Sequence, residues 1–212
     1  MTRSTKTMFA RAAAHVARQD RVMAALMKRT GPFRLARPDS DHFAALAESI
    51  LYQQLAGAAA AAIHRRFEAL FDGGPTPAAV IDLHPRTLRA AGLSGSKVAS
   101  IRDLAAKVAD GTVPLQYIGR RSDEAIIERL TVVRGIGRWT AEMFLMFQLR
   151  RLDVWPVSDY GVRQGYALAY GLRKLPTPKR LEREGERFRP YRTVAAWYCW
   201  QAVHEHRKQQ RQ

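Results

Sequence analysis

Leu130-Thr-Val-Val-Arg-Gly-Ile-Gly-Arg-Trp-Thr-Ala-Glu-Met143 is the stretch that decides the fold of this 212-residue chain. It predicts two short helices joined by a tight hairpin at Gly135 and Gly137, because glycine adopts backbone angles that side chains forbid. These glycines also leave the neighbouring amides bare, and exposed N–H groups at a helix start bind phosphate. Asp159, 22 residues after Gly137, adds a carboxylate at the head of a later helix. A phosphate-binding hairpin followed by one placed carboxylate indicates chemistry on a nucleic acid.

The charge of the chain agrees with this interpretation. There are 35 Lys and Arg residues against 19 Asp and Glu residues, which gives a formal net charge of +16. Such a field favours a polyanionic partner, with nucleic acid first and an anionic membrane surface second. A basic protein without any polyanionic partner stays open on composition alone.

Features of secreted and membrane proteins are missing from the sequence. No apolar run approaches the roughly 18–20 residues of a membrane span. Residues 1–7 are not followed by the apolar core of a secretory signal. Cys199 is the only cysteine, which excludes an internal disulfide and a four-thiolate metal site. We therefore expect the protein in a reducing cytoplasm.

Apolar residues recur at helical spacing along nearly the whole chain. The predicted helices span residues 9–27, 43–51, 58–71, 76–83, 85–91, 94–110, 122 to the hairpin, 139–150, 159–170, 177–188 and 192–207. Only residues 154–157 are strand-like, and Pro156 interrupts them. The pattern predicts an all-α fold, and an arrangement of two helical lobes with a central cleft is consistent with it.

Five stretches, in order, resemble motifs of the helix-hairpin-helix (HhH-GPD) DNA glycosylase superfamily, and in particular its DNA-3-methyladenine glycosylase II branch. They are Ile50-Leu-Tyr-Gln-Gln-Leu-Ala56, Gly92-Leu-Ser-Gly-Ser-Lys97, Arg134-Gly-Ile-Gly-Arg-Trp-Thr-Ala141, Asp159, and Arg189-Pro-Tyr-Arg192 with Ala195-Ala-Trp-Tyr-Cys-Trp200. The resemblance covers residues 32–205. It implies one glycosylase domain over residues 1–212, with the helix-hairpin-helix motif at residues 122–151. Well-known members of this branch carry an extra N-terminal β domain, so we expect a compact form.

The resemblance implies a base excision repair enzyme that flips an alkylated base of the 3-methyladenine type and hydrolyses its N-glycosidic bond. Asp159 occupies the position of the catalytic aspartate, where a carboxylate stabilises positive charge on the sugar. From the local sequence alone, Ser158 or Asp159 is equally a helix cap. Trp139 stands where bifunctional relatives carry a Schiff-base lysine, which implies a monofunctional enzyme. Lys97 is the less favoured substitute, since a surface or phosphate-contacting lysine is its ordinary role.

A flipped base needs an aromatic slot, and an indole attracts the positive charge of an alkylated purine. Trp200 falls at the family position for base stacking, and Trp139 and Tyr52 are the candidate walls. Core packing stays open as the alternative for each of them. Leu55 lies at the position of the family's wedge, which fills the space that the base leaves. Ordinary packing at the end of a loop is the alternative for Leu55.

The resemblance also implies a set of DNA contacts. Side-chain amides can hydrogen-bond the orphaned base or the sugar, and hairpin amides bind phosphate. The candidates are Gln53 and Gln54 for the first role, and Gly135 and Gly137, with Arg138 and Thr140 nearby, for the second.

Relatives hold a monovalent cation through hairpin carbonyls, and the matching positions are Thr131, Val133 and Ile136. A structural Na⁺ or K⁺ is the only ion implied, and no cofactor is required. The expected partner is double-stranded DNA with damaged bases, bound by a monomer, without a membrane, in a bacterial and nucleoid-associated setting. Two alternatives stay open, namely a glycosylase for deaminated, oxidised or mismatched bases, and a non-enzymatic hairpin protein that only binds DNA.

Overall fold

The computed structural model describes residues 3–55 and 57–210, with side chains from Thr5 onward, and these residues form helices joined by turns and coil. In chain order the helices are α1 (Arg3–Gln19), α2 (Arg21–Thr30), α3 (His42–Tyr52), α4 (Gly57–Glu68), α5 (Pro77–Asp82), α6 (Pro85–Ala90), α7 (Gly95–Ala109), α8 (Asp123–Thr131), α9 (Arg138–Met143), α10 (Tyr160–Ala169), α11 (Pro178–Gly185) and α12 (Arg192–Gln209). Short 3-10 turns lie at Ile118–Arg120 and Glu186–Phe188, and a π-helical segment spans Phe144–Gln148. No strand occurs within the described ranges, and the predicted all-α fold is confirmed.

The helices belong to two compact units. Residues 38–144, which contain α3 to α9, form what we name the hairpin unit. The described residues up to Arg37 and from Leu145 onward form the aspartate unit, with α1, α2, α10, α11 and α12. None of the helices in the described part of the chain combines the length and the apolar character needed to cross a bilayer.

Capping residues explain where most helices begin. Asp41, Thr76, Ser94 and Ser122 each accept a hydrogen bond from the backbone N–H three residues on, in the hairpin unit. Such caps satisfy donors that the first helical turn leaves without partners. Thr177 does the same for α11, with proline at its first helical position. These starts lie within a few residues of the predicted ones.

Three helices differ from the prediction for identifiable reasons. The helix predicted over residues 9–27 is two helices, because Asp20 caps α2 with its side chain and ends the run of α1. The helix predicted over residues 139–150 is α9 followed by the π-helical segment Phe144–Gln148. The final helix α12 runs on to Gln209, two residues past its predicted end.

The core of the aspartate unit depends on a close approach of α10 to α12. Eight residues of α12 are buried, from Thr193 to Val203. Gly165 of α10 lies against the backbone of Cys199, and a Cβ at Gly165 would overlap the Cys199 carbonyl. Only hydrogen fits between the two helices at this point, so Gly165 sets their separation.

Gly165→Ala tests this contact. We expect the free energy of unfolding to fall by about 1–3 kcal/mol, the usual cost of overpacking a core. Gly57→Ala is the matched control, since Gly57 is helical and a Cβ there would meet nothing within 4 Å. Urea unfolding followed by circular dichroism measures both variants. Equal stability of Gly165→Ala and Gly57→Ala would contradict the close approach.

Candidate active site and nucleic-acid interface

Asp159 is the N-terminal cap of α10, and its carboxylate is buried. Oδ1 accepts a hydrogen bond of 2.6 Å from the Val162 N–H and one of 2.9 Å from the indole N–H of Trp200. The helix-cap role, one of the two interpretations of Asp159, is therefore present. The indole donor from α12 is additional to capping, and it fixes the plane of the carboxylate.

The indole of Trp200 occupies a constrained position. It stacks on Phe147 with ring centroids 5.8 Å apart and an interplanar angle of 27°. A Cβ at Gly161 would lie 2.8 Å from Cδ1 of Trp200, so the bare backbone of α10 leaves room for the ring. Trp197 behaves differently, because its ring packs edge-on against Phe33 and Tyr198. The two tryptophans, one helical turn apart, thus have separate environments.

Phe147 is a candidate site residue that the sequence analysis missed. Its side chain is 43% exposed although it is large and apolar, and it stacks on Trp200. It lies in the π-helical segment, where the sequence predicts an uninterrupted α-helix. Segments of π-helix occur often at functional sites, because the added residue redirects the side chains around it. Periodicity counted at 3.6 residues per turn cannot reveal such a redirection.

The hairpin turn is closed by the Ile136 N–H, which donates to the Val133 carbonyl at 3.1 Å. Gly135 is the third residue of this turn and has φ of +80°, a conformation that favours glycine. A Cβ there would also lie 2.7 Å from the Ser100 hydroxyl. Gly137 has an ordinary φ of −94°, so the predicted conformational need is right for Gly135 and wrong for Gly137. At Gly137 a Cβ would meet nothing within 4 Å, which leaves open surface at the start of α9.

Asp103, on α7, binds the backbone of the hairpin. Its Oδ2 accepts a hydrogen bond of 2.7 Å from the Arg134 N–H, and Lys107 donates to both of its oxygens at 2.6 Å. Burial opposes ionisation, but the hydrogen bonds from Arg134 and Lys107 outweigh it and lower the pKa of Asp103. Asp103 and Ser100 were not predicted as site residues, since neither lies in a recognised motif.

Arg138 and Thr140, both expected near a phosphate, are engaged within the hairpin unit. The Arg138 guanidinium donates to both carboxylate oxygens of Glu124, at 2.8 and 2.9 Å, and to Glu142 at 3.2 Å. Its hydrogen bonds to Glu124 raise the pKa of Arg138. This side chain therefore braces α8 against α9. Thr140 is only 5% exposed, so its hydroxyl does not lie on the surface.

The loop after α3 carries the candidate wedge. Leu55 is 38% exposed, as a wedge requires, and Gln54 is left-handed with φ of +56°. The side chain of Gln53 is directed at the hairpin, and its Nε2 donates to the Gly135 carbonyl at 2.9 Å. The amide that the sequence assigns to an orphaned base is thus hydrogen-bonded to the hairpin.

The remaining aromatic candidates lie in the hairpin unit. Tyr52 is partly exposed and packs edge-on against His64, with ring centroids 5.9 Å apart. Trp139 is 45% exposed, on α9. Lys97 donates its ammonium protons to the Leu51 carbonyl, and burial lowers the pKa of Lys97. The structure brings Asp159, Trp200 and Phe147 together, and Tyr52 and Trp139 belong to the other unit.

A cation at the hairpin would depend on main-chain oxygens. No group of three or more metal-type side chains occurs in the described ranges. The carbonyls of Thr131, Val133 and Ile136 belong to the end of α8 and the hairpin. The Val133 carbonyl already accepts the Ile136 N–H, and a carbonyl oxygen has a second lone pair. Oxygen donors of this kind suit hard cations.

A sequence model described as HhH-GPD superfamily base excision DNA repair protein matches residues 47–190, which contain the hairpin, Gln53 and Asp159. The chain belongs to this superfamily. It is 37% identical over 199 residues to DNA-3-methyladenine glycosylase 1 of Schizosaccharomyces pombe, covering 92% of this chain and 87% of that protein. The resemblance on which the sequence analysis rests is confirmed.

Solved structures agree with the sequence comparison. The 3-methyladenine DNA glycosylase of Schizosaccharomyces pombe, in complex with abasic DNA, superimposes with a TM-score of 0.80 at 36% identity, over 90% of this chain and 95% of that one. The DNA-3-methyladenine glycosidase of Bacillus halodurans gives a TM-score of 0.84 at 34% identity, over 93% and 91% of the two chains. Both similarities extend over nearly the whole described chain.

A double-mutant cycle tests the bond between the indole and the carboxylate. Trp200→Phe removes the N–H donor and keeps an aromatic ring beside Phe147, and Asp159→Asn changes the acceptor. We expect a coupling free energy of about 1–2 kcal/mol in stability, because the hydrogen bond is charge-assisted and buried. Denaturant unfolding of both single variants and the double variant measures it. Additive losses would show that the two groups do not interact.

Proposed function

We propose that this protein is a monofunctional DNA glycosylase that hydrolyses the N-glycosidic bond of alkylated bases, of the 3-methyladenine type. The observation that carries the proposal is the buried carboxylate of Asp159, held by an indole that itself stacks on an exposed phenylalanine. Superfamily membership and the names of the relatives support it. The abasic DNA in the Schizosaccharomyces pombe complex is the product that such a reaction leaves.

Asp159 is the proposed catalytic residue. As the bond between C1′ and the base breaks, the base departs with the electron pair and positive charge develops on the sugar. A fixed carboxylate beside the sugar stabilises this charge without reorganisation. Water then adds to C1′ and loses a proton, which leaves an abasic site. An alkylated purine is cationic before the reaction, so it departs as a neutral base.

Trp200 and Phe147 form the proposed surface for the flipped base. Their stacked rings are adjacent to the carboxylate, since the indole N–H binds Asp159 directly. Electron-rich ring faces attract cations, and this favours an alkylated purine over a neutral one. Tyr52 and Trp139, both partly exposed in the hairpin unit, are further proposed contacts of the flipped base.

The hairpin unit contributes the proposed DNA-binding contacts. The open surface at Gly137 lets a phosphate approach the amides of Gly135 and Gly137, with Arg138 and the peptide of Thr140 adding positive potential nearby. Leu55, apolar and exposed, is the proposed wedge. Gln54 is the proposed contact to the orphaned base.

A monovalent cation on the carbonyls of Thr131, Val133 and Ile136 would add positive charge facing the phosphate. No further cofactor is part of the proposal. We further propose that residues 1–212 act as one glycosylase domain, as a monomer, with the hairpin motif at residues 122–151. The proposed location is the cytoplasm of a bacterial cell, in association with the nucleoid.

An excision panel tests the proposed function and the role of Asp159. We expect the wild-type protein to release 3-methyladenine and 7-methylguanine from duplex DNA faster than hypoxanthine, uracil or 8-oxoguanine. Asp159→Asn should slow release by about a hundredfold or more, as removal of a charge-stabilising group does. Its affinity for DNA should be kept or increased, because a negative charge is lost.

Asp72→Asn, at an exposed aspartate, is the matched control and should excise at the wild-type rate. Single-turnover rates and binding curves on the same duplexes separate chemistry from affinity. Release of only uracil or 8-oxoguanine would reassign the substrate class. A wild-type rate in Asp159→Asn would remove Asp159 from catalysis.

Strand cleavage provides a separate test of the monofunctional assignment. A Schiff base requires an uncharged amine next to the sugar carbon. Trp139 supplies no amine, and the ammonium of Lys97 is hydrogen-bonded to a backbone carbonyl. Incubation with a lesion duplex should therefore give abasic sites, with breaks only after alkali, and borohydride should trap no protein–DNA adduct. Efficient trapping that disappears in Lys97→Ala would overturn the assignment.

A further inference from the structure

Gln53 links two segments to which the proposed function gives separate roles. It is the first residue after α3, and its backbone (φ −56°, ψ 133°) has already left the helix. Its side chain crosses to the hairpin, where Nε2 lies 2.9 Å from the Gly135 carbonyl and 3.5 Å from the hydroxyl of Thr140. Both N–H donors of the amide are thus directed at the hairpin and the first turn of α9.

Helix α7 braces the same two segments from one side. Lys97 holds the last turn of α3 through the Leu51 carbonyl, Ser100 packs under Gly135, and Asp103 binds the Arg134 N–H. These three α7 residues are spaced by three positions, which places them along one side of the helix. The end of α3 and the hairpin therefore share a platform, and Gln53 is their direct connection.

The loop that Gln53 begins needs such support. Gln54 adopts a left-handed backbone, which is unfavourable for any residue other than glycine. Leu55 follows directly and exposes its apolar side chain. A strained loop with an exposed apolar tip keeps its position only if the surrounding structure holds it. Gln53, the first residue of this loop, has its Nε2 within 3.5 Å of oxygen atoms on two residues of the hairpin motif.

We propose that Gln53 is a positioning residue that couples the hairpin to the loop, so that phosphate binding at Gly135–Gly137 and insertion of Leu55 occur as one rigid movement. The inference rests on the proposed function of base flipping. It assigns to Gln53 a role distinct from contact with the orphaned base, because its donors are engaged by Gly135 and Thr140. Donation of a hydrogen bond to the orphaned base is then assigned to Gln54.

Epistasis between Gln53 and Leu55 tests this coupling. Gln53→Ala should slow single-turnover excision about tenfold, the effect of one lost hydrogen bond. Affinity for an undamaged duplex should change by less than about twofold, since phosphate contacts dominate it. The double variant Gln53→Ala/Leu55→Ala should be no slower than Leu55→Ala, because Gln53 acts through Leu55. Additive losses in the double variant would overturn the proposal.

Two further variants separate positioning from direct contact. Gln53→Glu should be slower than Gln53→Ala, because it places an acceptor against the Gly135 carbonyl. The loss in Gln53→Ala should be the same whether the lesion faces a base or an abasic site, whereas the loss in Gln54→Ala should depend on the opposing base. A loss in Gln53→Ala that disappears opposite an abasic site would assign Gln53 to the orphaned base and overturn the coupling. Gln116→Ala, at an exposed glutamine of the same unit, is the control.

Hydrogen exchange without DNA gives a readout that does not require catalysis. In Gln53→Ala, amides of both the hairpin and the loop after α3 should exchange faster than in the wild type, while those of α12 should not change. Unchanged exchange at the hairpin would overturn the coupling. If the wild-type protein released no base from the panel, the proposed function would fail, and this exchange experiment would still decide whether Gln53 joins the two segments.

Discussion

The hydrogen bonds to Oδ1 of Asp159 are the constraint on which the rest of the aspartate unit depends. A carboxylate taken out of water is stable only where donors replace its hydration. The Val162 N–H comes from the first turn of α10, and the indole N–H comes from α12. The second donor is in reach only because Gly161 leaves room for the ring and Gly165 admits the α12 backbone. Two glycines on one helix therefore permit the geometry of the proposed catalytic group.

In the hairpin unit, neighbouring residues hold the hairpin turn by contacts to its backbone. A turn that presents bare amides has no side chains of its own to hold it, so its rigidity must come from neighbours. Asp103 takes the Arg134 N–H, Ser100 fills the space beneath Gly135, and Gln53 donates to the Gly135 carbonyl. Each contact engages the rear of the turn, and the surface around Gly137 stays open. Preorganised amides in such a turn bind an anion with little loss of conformational freedom.

Local signals in the sequence predicted much of this fold, and long-range contacts account for what they missed. Caps such as Ser94 and Ser122 act within three residues, so the helix starts were predictable. The π-helical segment around Phe147 and the reach of Gln53 to Gly135, 82 positions away, depend on packing that no short window contains. Asp159 was predicted as the catalytic residue through the family resemblance, because its local sequence is equally that of a helix cap. Gly137 was assigned a special conformation that it does not have, since backbone angles depend on the turn as a whole.

The arginines show why net charge indicates a partner without locating its binding surface. Arg187 binds Glu184 at 2.7 Å, the buried Asp20 at 3.3 Å and the Tyr166 hydroxyl at 2.6 Å, where burial raises the pKa of Tyr166 to about 12. Arg192 is likewise paired, with Asp153. These cations stabilise the aspartate unit, and Arg138 braces the hairpin in the same way. Several of the arginines that contribute to the net charge of +16 are therefore paired with acidic side chains of the same chain.

The net positive charge still attracts a polyanion over a distance, because pairing redistributes charge without removing the excess. At contact range the proposal assigns recognition of phosphate to the hairpin amides, and such a site does not require the Arg138 guanidinium, which is bound to Glu124.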